Sequence, residues 1–116
     1  MAGASDKSNP RKHVKRAPRV NGPFSGRRVG ELTTDLSIHD LSITGCLIES
    51  FHEVQPGRRL TLEIDVPEGT ITLAAETVYT RADYGYAVKF VDVSPQVRVV
   101  LARTVFHRLS KGKAAT

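Results

Sequence analysis

The plainest pattern in the chain is the alternation from Leu60 to Val66. Leu60, Leu62, Ile64 and Val66 fall on one parity, and Thr61, Glu63 and Asp65 on the other. Successive side chains of a strand point to opposite faces, so this segment is a strand with one face on a core and one in water. Pro67-Glu68-Gly69 marks a turn, and Thr70–Thr80 is predicted to be a long strand. Its parity breaks. Ile71, Leu73 and Ala75 share one side and Val78 takes the other, so a bulge is expected near Glu76. Arg81-Ala82-Asp83 is a turn, and Tyr84–Val91 returns as a strand through Tyr86, Val88 and Phe90, with Tyr84 and Tyr86 covering core or barrel edge.

Upstream, Val29–Ile38 reads as a strand with Leu32, Leu36 and Ile38 on one side. Val20–Arg28 carries the turn signals Asn21-Gly22 and Ser25-Gly26, and Pro23 limits any strand there. Cys46-Leu47-Ile48 is a short apolar run, and Glu53–Gly57 is a turn. At Ser94-Pro95 the period changes. Serine caps helices and proline suits their first position. Val97, Leu101, Val105 and Leu109 then recur every four residues, Ala102 and Phe106 widen the stripe, and Arg98, Arg103 and Arg108 fall off it.

These elements add up to about six short strands and one C-terminal helix, with turns roughly every eight to twelve residues, the spacing of a small antiparallel barrel. The expected class is all-β, a six-stranded antiparallel barrel with a helix over an open end or one face. Residues 1–10 are expected to be a disordered tail and 11–109 a single domain that includes a basic arm. Residues 110–116 should be a frayed tail, with Gly112 as a helix stop.

Charge sharpens this picture. Of 116 residues, 17 are Lys or Arg and 12 are Asp or Glu, for a net charge of +5. Residues 1–20 hold Lys7, Arg11, Lys12, Lys15, Arg16 and Arg19 against Asp6, which is 6 − 1 = +5; the rest of the chain is balanced. A basic arm on a neutral body points to one anionic partner at one place. A nucleic-acid strand is disfavoured, because the arm has no aromatic residue on which bases would stack. Cys46 is the one cysteine, so no internal disulfide forms, in keeping with a reducing compartment. No apolar run approaches the ~20 residues of a membrane span, and no secretory leader is visible, so a cytoplasmic protein is expected.

Catalytic constellations are scarce. Ser42 has no His and acid partners in a strand–Gly-x-Ser-x-Gly–helix context. His13, His39, His52 and His107 show no metal-ligand spacing, and no glycine-rich nucleotide loop occurs. Binding is expected rather than catalysis, without a cofactor. The candidate chemistry lies in Asp40-Leu41-Ser42-Ile43-Thr44-Gly45, a turn between two strands in which Asp and Ser can bond back to the backbone and Gly permits unusual φ.

The spacing Asp40-x-Ser42-x-x-Gly45, the basic run upstream, the strands around Pro56–Val66, Val78-Tyr79 and Val88-Lys89-Phe90, and the C-terminal helix resemble the PilZ domain, a bacterial module that senses cyclic di-GMP. The resemblance covers roughly Arg11 to Leu109. In that family an Arg-x-x-x-Arg segment precedes the Asp/Asn-x-Ser-x-x-Gly turn. Here one register pairs Lys12 with Arg16, beside Arg11; another pairs Lys15 with Arg19. Neither supplies two arginines four apart, and lysine brings charge without a planar fork.

The resemblance implies a ligand-binding set of Arg11, Lys12, Lys15, Arg16, Arg19, Asp40, Ser42 and Gly45. Arginine would grip phosphate or guanine O6 and N7, and Asp40 would accept from guanine N–H groups. Ser42 would bond at the same rim, and Gly45 would leave room or take a special φ. It also implies an arm that folds over the ligand and an unidentified downstream protein that reads the change. The family's other role is a degenerate scaffold that binds protein without nucleotide.

Overall fold

The computed structural model describes residues 17–50, 54–81 and 83–115. The tail expected over 1–10 and the arm residues Arg11, Lys12, Lys15 and Arg16 lie outside the described residues.

Six antiparallel strands close into a barrel: β1 (Phe24–Val29), β2 (Thr34–His39), β3 (Gly45–Glu49), β4 (Arg59–Val66), β5 (Gly69–Arg81) and β6 (Gly85–Val91). Around the barrel the order is β1-β2-β3-β6-β5-β4, with β4 closing on β1. One helix follows, α1 (Pro95–Ala115). The alternation in β4 does what it predicts: Leu60, Leu62, Ile64 and Val66 are buried, and Ile71, Leu73 and Ala75 of β5 face them across the register Leu60↔Ala75, Leu62↔Leu73 and Ile64↔Ile71. Ile38, Leu41, Ile48, Tyr86 and Val88 complete the interior, and Leu101 and Val105 of α1 close it.

The structure corrects several expectations. The strand read over Val29–Ile38 is in fact a hairpin, β1–β2, with Arg28 opposite Thr34. Leu32 sits at its tip and is 84% exposed, so its matching parity with Leu36 and Ile38 was coincidental. Pro23 does not preclude β1, because it stands just before the first strand residue, where no ladder donor is needed. Gly26 is needed within that strand: an added Cβ would collide with the Glu63 carbonyl oxygen.

The expected bulge is present just beyond Glu76, at Val78, between Thr77 and Tyr79. It does not bring Val78 inward: Val78 stays outside at 48% exposure, while Thr77 continues the buried parity of Ile71, Leu73 and Ala75. Thr77 Oγ1 is satisfied there by donating to the Gln55 carbonyl and accepting from the Arg58 N–H at 2.8 Å.

The helix starts as expected, with Ser94 Oγ accepting from the Val97 N–H at 3.2 Å. It runs through Gly112 to Ala115 instead of stopping. Its buried stripe is narrower than the spacing suggests. Leu101, Thr104 and Val105 are buried, whereas Ala102, Phe106 and Leu109 are exposed, Phe106 by 71%. Two arginines that fall off the stripe fasten the helix. Arg103 grips Glu68 in bidentate fashion at 2.7 and 2.8 Å. Arg108 donates to the Asn21 carbonyl at 2.8 Å and stacks over the Phe24 ring. Among the described residues no helix is long and apolar enough to cross a membrane.

Candidate functional site

The β2–β3 connection is built by Ser42. Its hydroxyl oxygen accepts from the N–H groups of Thr44 and Gly45, each at 3.1 Å, and donates toward the Gly45 carbonyl at 3.2 Å. The Ser42 N–H closes the turn onto the same carbonyl at 2.9 Å. With 2% exposure, Ser42 organises the loop from inside.

Asp40 enters the loop at φ 49°, a left-handed conformation that Asp tolerates better than most residues. Its carboxylate makes no hydrogen bond to another described residue and is half-exposed. Gly45 does not take the special φ; it answers a different need. As the first residue of β3 it lies against β6, and an added Cβ would collide with the Val88 carbonyl oxygen.

A second segment is pinned to this loop. Val20 and Leu41 exchange two backbone hydrogen bonds of 2.9 Å, an isolated antiparallel bridge, and both side chains are buried. The bridge fixes Arg19 where the basic arm meets the barrel. Arg19, Asp40, Ser42, Thr44, Gly45 and Leu47 form one side of an open pocket of about 230 Å³. The other side is the outer wall of β5 and β6, where Val78, Tyr79, Arg81, Ala87 and Lys89 line it.

The bulge explains that wall. By skipping Val78 it turns both Val78 and Tyr79 outward, at 48% and 49% exposure, where strict alternation would hide one of them. Among the described lining residues, three cations, Arg19, Arg81 and Lys89, share the pocket with one carboxylate, Asp40. Lys89 also meets Glu76 at 3.3 Å, and Arg81 lies 5.5 Å from the centre of the Tyr84 ring. Burial and the nearby Glu49 and Asp40 carboxylates push the Tyr84 phenol up, while Arg81 opposes them. His39 shares this edge, with Nε2 3.1 Å from Glu49 and its ring 5.8 Å from that of Tyr84. Cys46 also lines the pocket, but burial alone pushes its thiol far up, so it is no nucleophile.

Of the eight residues expected to bind, Arg19, Asp40, Ser42 and Gly45 come together; Arg11, Lys12, Lys15 and Arg16 lie outside the described residues. Sequence reasoning missed Tyr79, Arg81 and Lys89. The parity break at Val78 was their signal, since a bulge marks where a sheet re-aims its side chains. Among the described residues no group of three His, Cys, Asp or Glu is placed to hold a metal.

The site offers a cationic, partly aromatic surface with one acceptor carboxylate, suited to an anionic ligand that also presents N–H donors. Comparison with known proteins follows the same lines. YcgR of Escherichia coli, solved in complex with c-di-GMP, superposes with a TM-score of 0.68 at 24% identity, over 87% of this chain. The chain spans about half of it, 49%. The separate PilZ domain of YcgR with c-di-GMP gives a TM-score of 0.67 at 19% identity, over 89% of this chain and 97% of that one. No match was found among curated proteins. The family model of the PilZ domain matches residues 8–107, which takes in the barrel, the bridged arm and most of the helix, and the chain belongs to the PilZ domain family.

Proposed function

We propose that this protein is a cyclic di-GMP receptor that binds its ligand between the Asp40–Gly45 loop and the outer wall of β5–β6. The observation that carries this reading is the Val20–Leu41 bridge, which holds Arg19 and Asp40 on one pocket. The two YcgR structures compared above are complexes with c-di-GMP, which supports the assignment.

Each side chain has a task that follows from its chemistry. Arg19 presents a fork to a phosphodiester or to guanine O6 and N7. Asp40 accepts from the guanine N–H groups, which an adenine edge does not match. Tyr79 and Val78 offer an apolar floor for a base, and Arg81 and Lys89 neutralise phosphate. Ser42 and Gly45 act by shaping the loop.

The pocket's volume of about 230 Å³ falls below the roughly 300–1,000 Å³ of small-molecule sites, so further wall is required. We assign that wall to the arm, with Arg11, Lys12, Lys15 and Arg16 closing over the ligand. Since Arg19 is the residue held at the pocket, the register pairing Lys15 with Arg19 fits better than the one pairing Lys12 with Arg16. Closure of the arm is the signal, and another protein in the cytoplasm reads it; the protein itself is not an enzyme. The degenerate-scaffold reading rests on lysine in the first arginine place.

Calorimetric titration with cyclic di-GMP tests the proposal. A dissociation constant below about 100 µM, roughly −5.5 kcal/mol, is expected, with no binding of cyclic di-AMP. Equal binding of both would remove the role given to Asp40. No heat with either would favour the scaffold.

A further inference from the structure

At the other rim of the barrel, where β1 ends and β2 and β4 begin, an open groove of about 700 Å³ is lined by Arg28, Arg58 and Arg59, with Thr34 and Thr61 beside them. Glu31 is the one acid on its lining. The groove is separate from the Asp40 pocket, because the length of β2, about 17 Å, lies between its Thr34 end and the loop that follows His39.

Arg28 is the unusual member. It shares the parity of Phe24 and Gly26, both buried, and lies opposite Leu62, which is fully buried. Its side chain therefore stands on the core side of the sheet, half-buried at the barrel mouth. Its charge reaches inward far enough to oppose the rise that burial imposes on the Tyr86 phenol. Among the described residues it has no hydrogen bond or ion pair.

Three other arginines are satisfied. Arg27, next in sequence and facing outward, holds Glu63 at 3.0 Å and Asp65 at 2.6 Å. Arg103 holds Glu68, and Arg108 a carbonyl and a ring. A half-buried guanidinium without a counter-charge has lost hydration and gained nothing in exchange. Its neighbours do not compensate. Arg58 gives its backbone N–H to Thr77 and leaves its guanidinium without a described partner. Arg59 has one loose contact, 3.5 Å to Asp92, with both side chains largely exposed.

We propose that this rim is a second ligand site, which takes the phosphate group of a small phosphorylated molecule. Against Glu31 and the Asp92 that Arg59 meets, the three guanidiniums leave an excess of 3 − 2 = 1 positive charge, so the groove is net cationic and attracts the roughly −1.5 to −2 of a phosphate monoester. The forks of Arg28 and Arg58 suit its oxygens, and Thr34, paired with Arg28 across the hairpin, adds a hydroxyl donor on the same face. No ring lines the groove, so the site reads phosphate and not a base.

The test is a titration of the full chain with inorganic phosphate, followed by amide and arginine Nε NMR signals, against potassium chloride at matched ionic strength. Saturable shifts at Arg28, Arg58 and Thr34 are expected with phosphate and not with chloride. Arg58→Gln should weaken them about tenfold by removing a charge-assisted fork, and Asp40→Ala should leave them unchanged, whatever that variant does to cyclic di-GMP. Arg28→Gln should act like Arg58→Gln. Arg28 faces the core, so a thermal melt accompanies that variant; Arg58 is exposed and carries the test by itself. Shifts that do not saturate, that spread equally to Arg81 and Arg98, or that survive Arg58→Gln would overturn the proposal.

Discussion

Ser42 and Asp40 divide the work of their loop. Ser42 gives its hydroxyl wholly to the turn, and Asp40 keeps its carboxylate clear of it. The two should therefore fail differently when truncated. Ser42→Ala removes the acceptor that two partly exposed loop N–H groups share, a loss of about 0.5–1.5 kcal/mol of stability, visible as a lower melting temperature before any ligand is added. The Asp40-x-Ser42-x-x-Gly45 turn was legible in the sequence, but the distribution of its tasks was not. Gly45 is required by the Val88 carbonyl and Arg19 is placed by Leu41, and such neighbours are brought close only by the closed barrel. The unusual φ falls on Asp40, where the sequence suggested Gly45.

Among the elements, β4 was fully legible because its alternation is strict and both ends carry turns. The β1–β2 hairpin was not, since Leu32 at its tip imitates the parity of the strand that follows. The helix was half legible. A four-residue repeat selects Leu101 and Val105 correctly, but it cannot say how wide a stripe the barrel covers, and Phe106 and Leu109 stay outside. The energetic consequence is sharp. Leu101→Ala, at 0% exposure, should lose about 2–5 kcal/mol. Phe106→Ser should change stability by no more than about 0.5 kcal/mol, as for ordinary surface positions. Chemical denaturation of both variants measures the difference, and a large loss at Phe106 would show that the helix packs on its other face.

At the scale of the whole molecule, ion pairs tie the barrel to its helix and to itself. The Arg103 guanidinium holds the Glu68 carboxyl below its usual range, and Arg27 with Thr70 does the same for Asp65. Carboxyls lowered by folding stabilise the native state above their ordinary titration range, and that support disappears as pH falls through the lowered values. Both groups are solvent-exposed, so screening keeps the effect small. Melting temperatures from neutral pH into the acid range should fall less steeply for Glu68→Gln than for the parent chain. An identical slope would show that this pair does nothing for folding.

The candidate site is also a property of the whole molecule, assembled from Arg19, the 40–47 loop and the 78–89 wall. The most direct measurement of the account is calorimetric titration of cyclic di-GMP into the parent chain, Arg19→Ala and Asp40→Ala, with a thermal melt of each. The account predicts saturable binding to the parent and a loss of about 2–5 kcal/mol, roughly thirtyfold or more, in Arg19→Ala. It also predicts an unchanged melt for Arg19→Ala, since the side chain is exposed, and lost affinity in Asp40→Ala. Arg19→Ala that binds like the parent would contradict the placement of the ligand beside the Val20–Leu41 bridge, and with it the central claim.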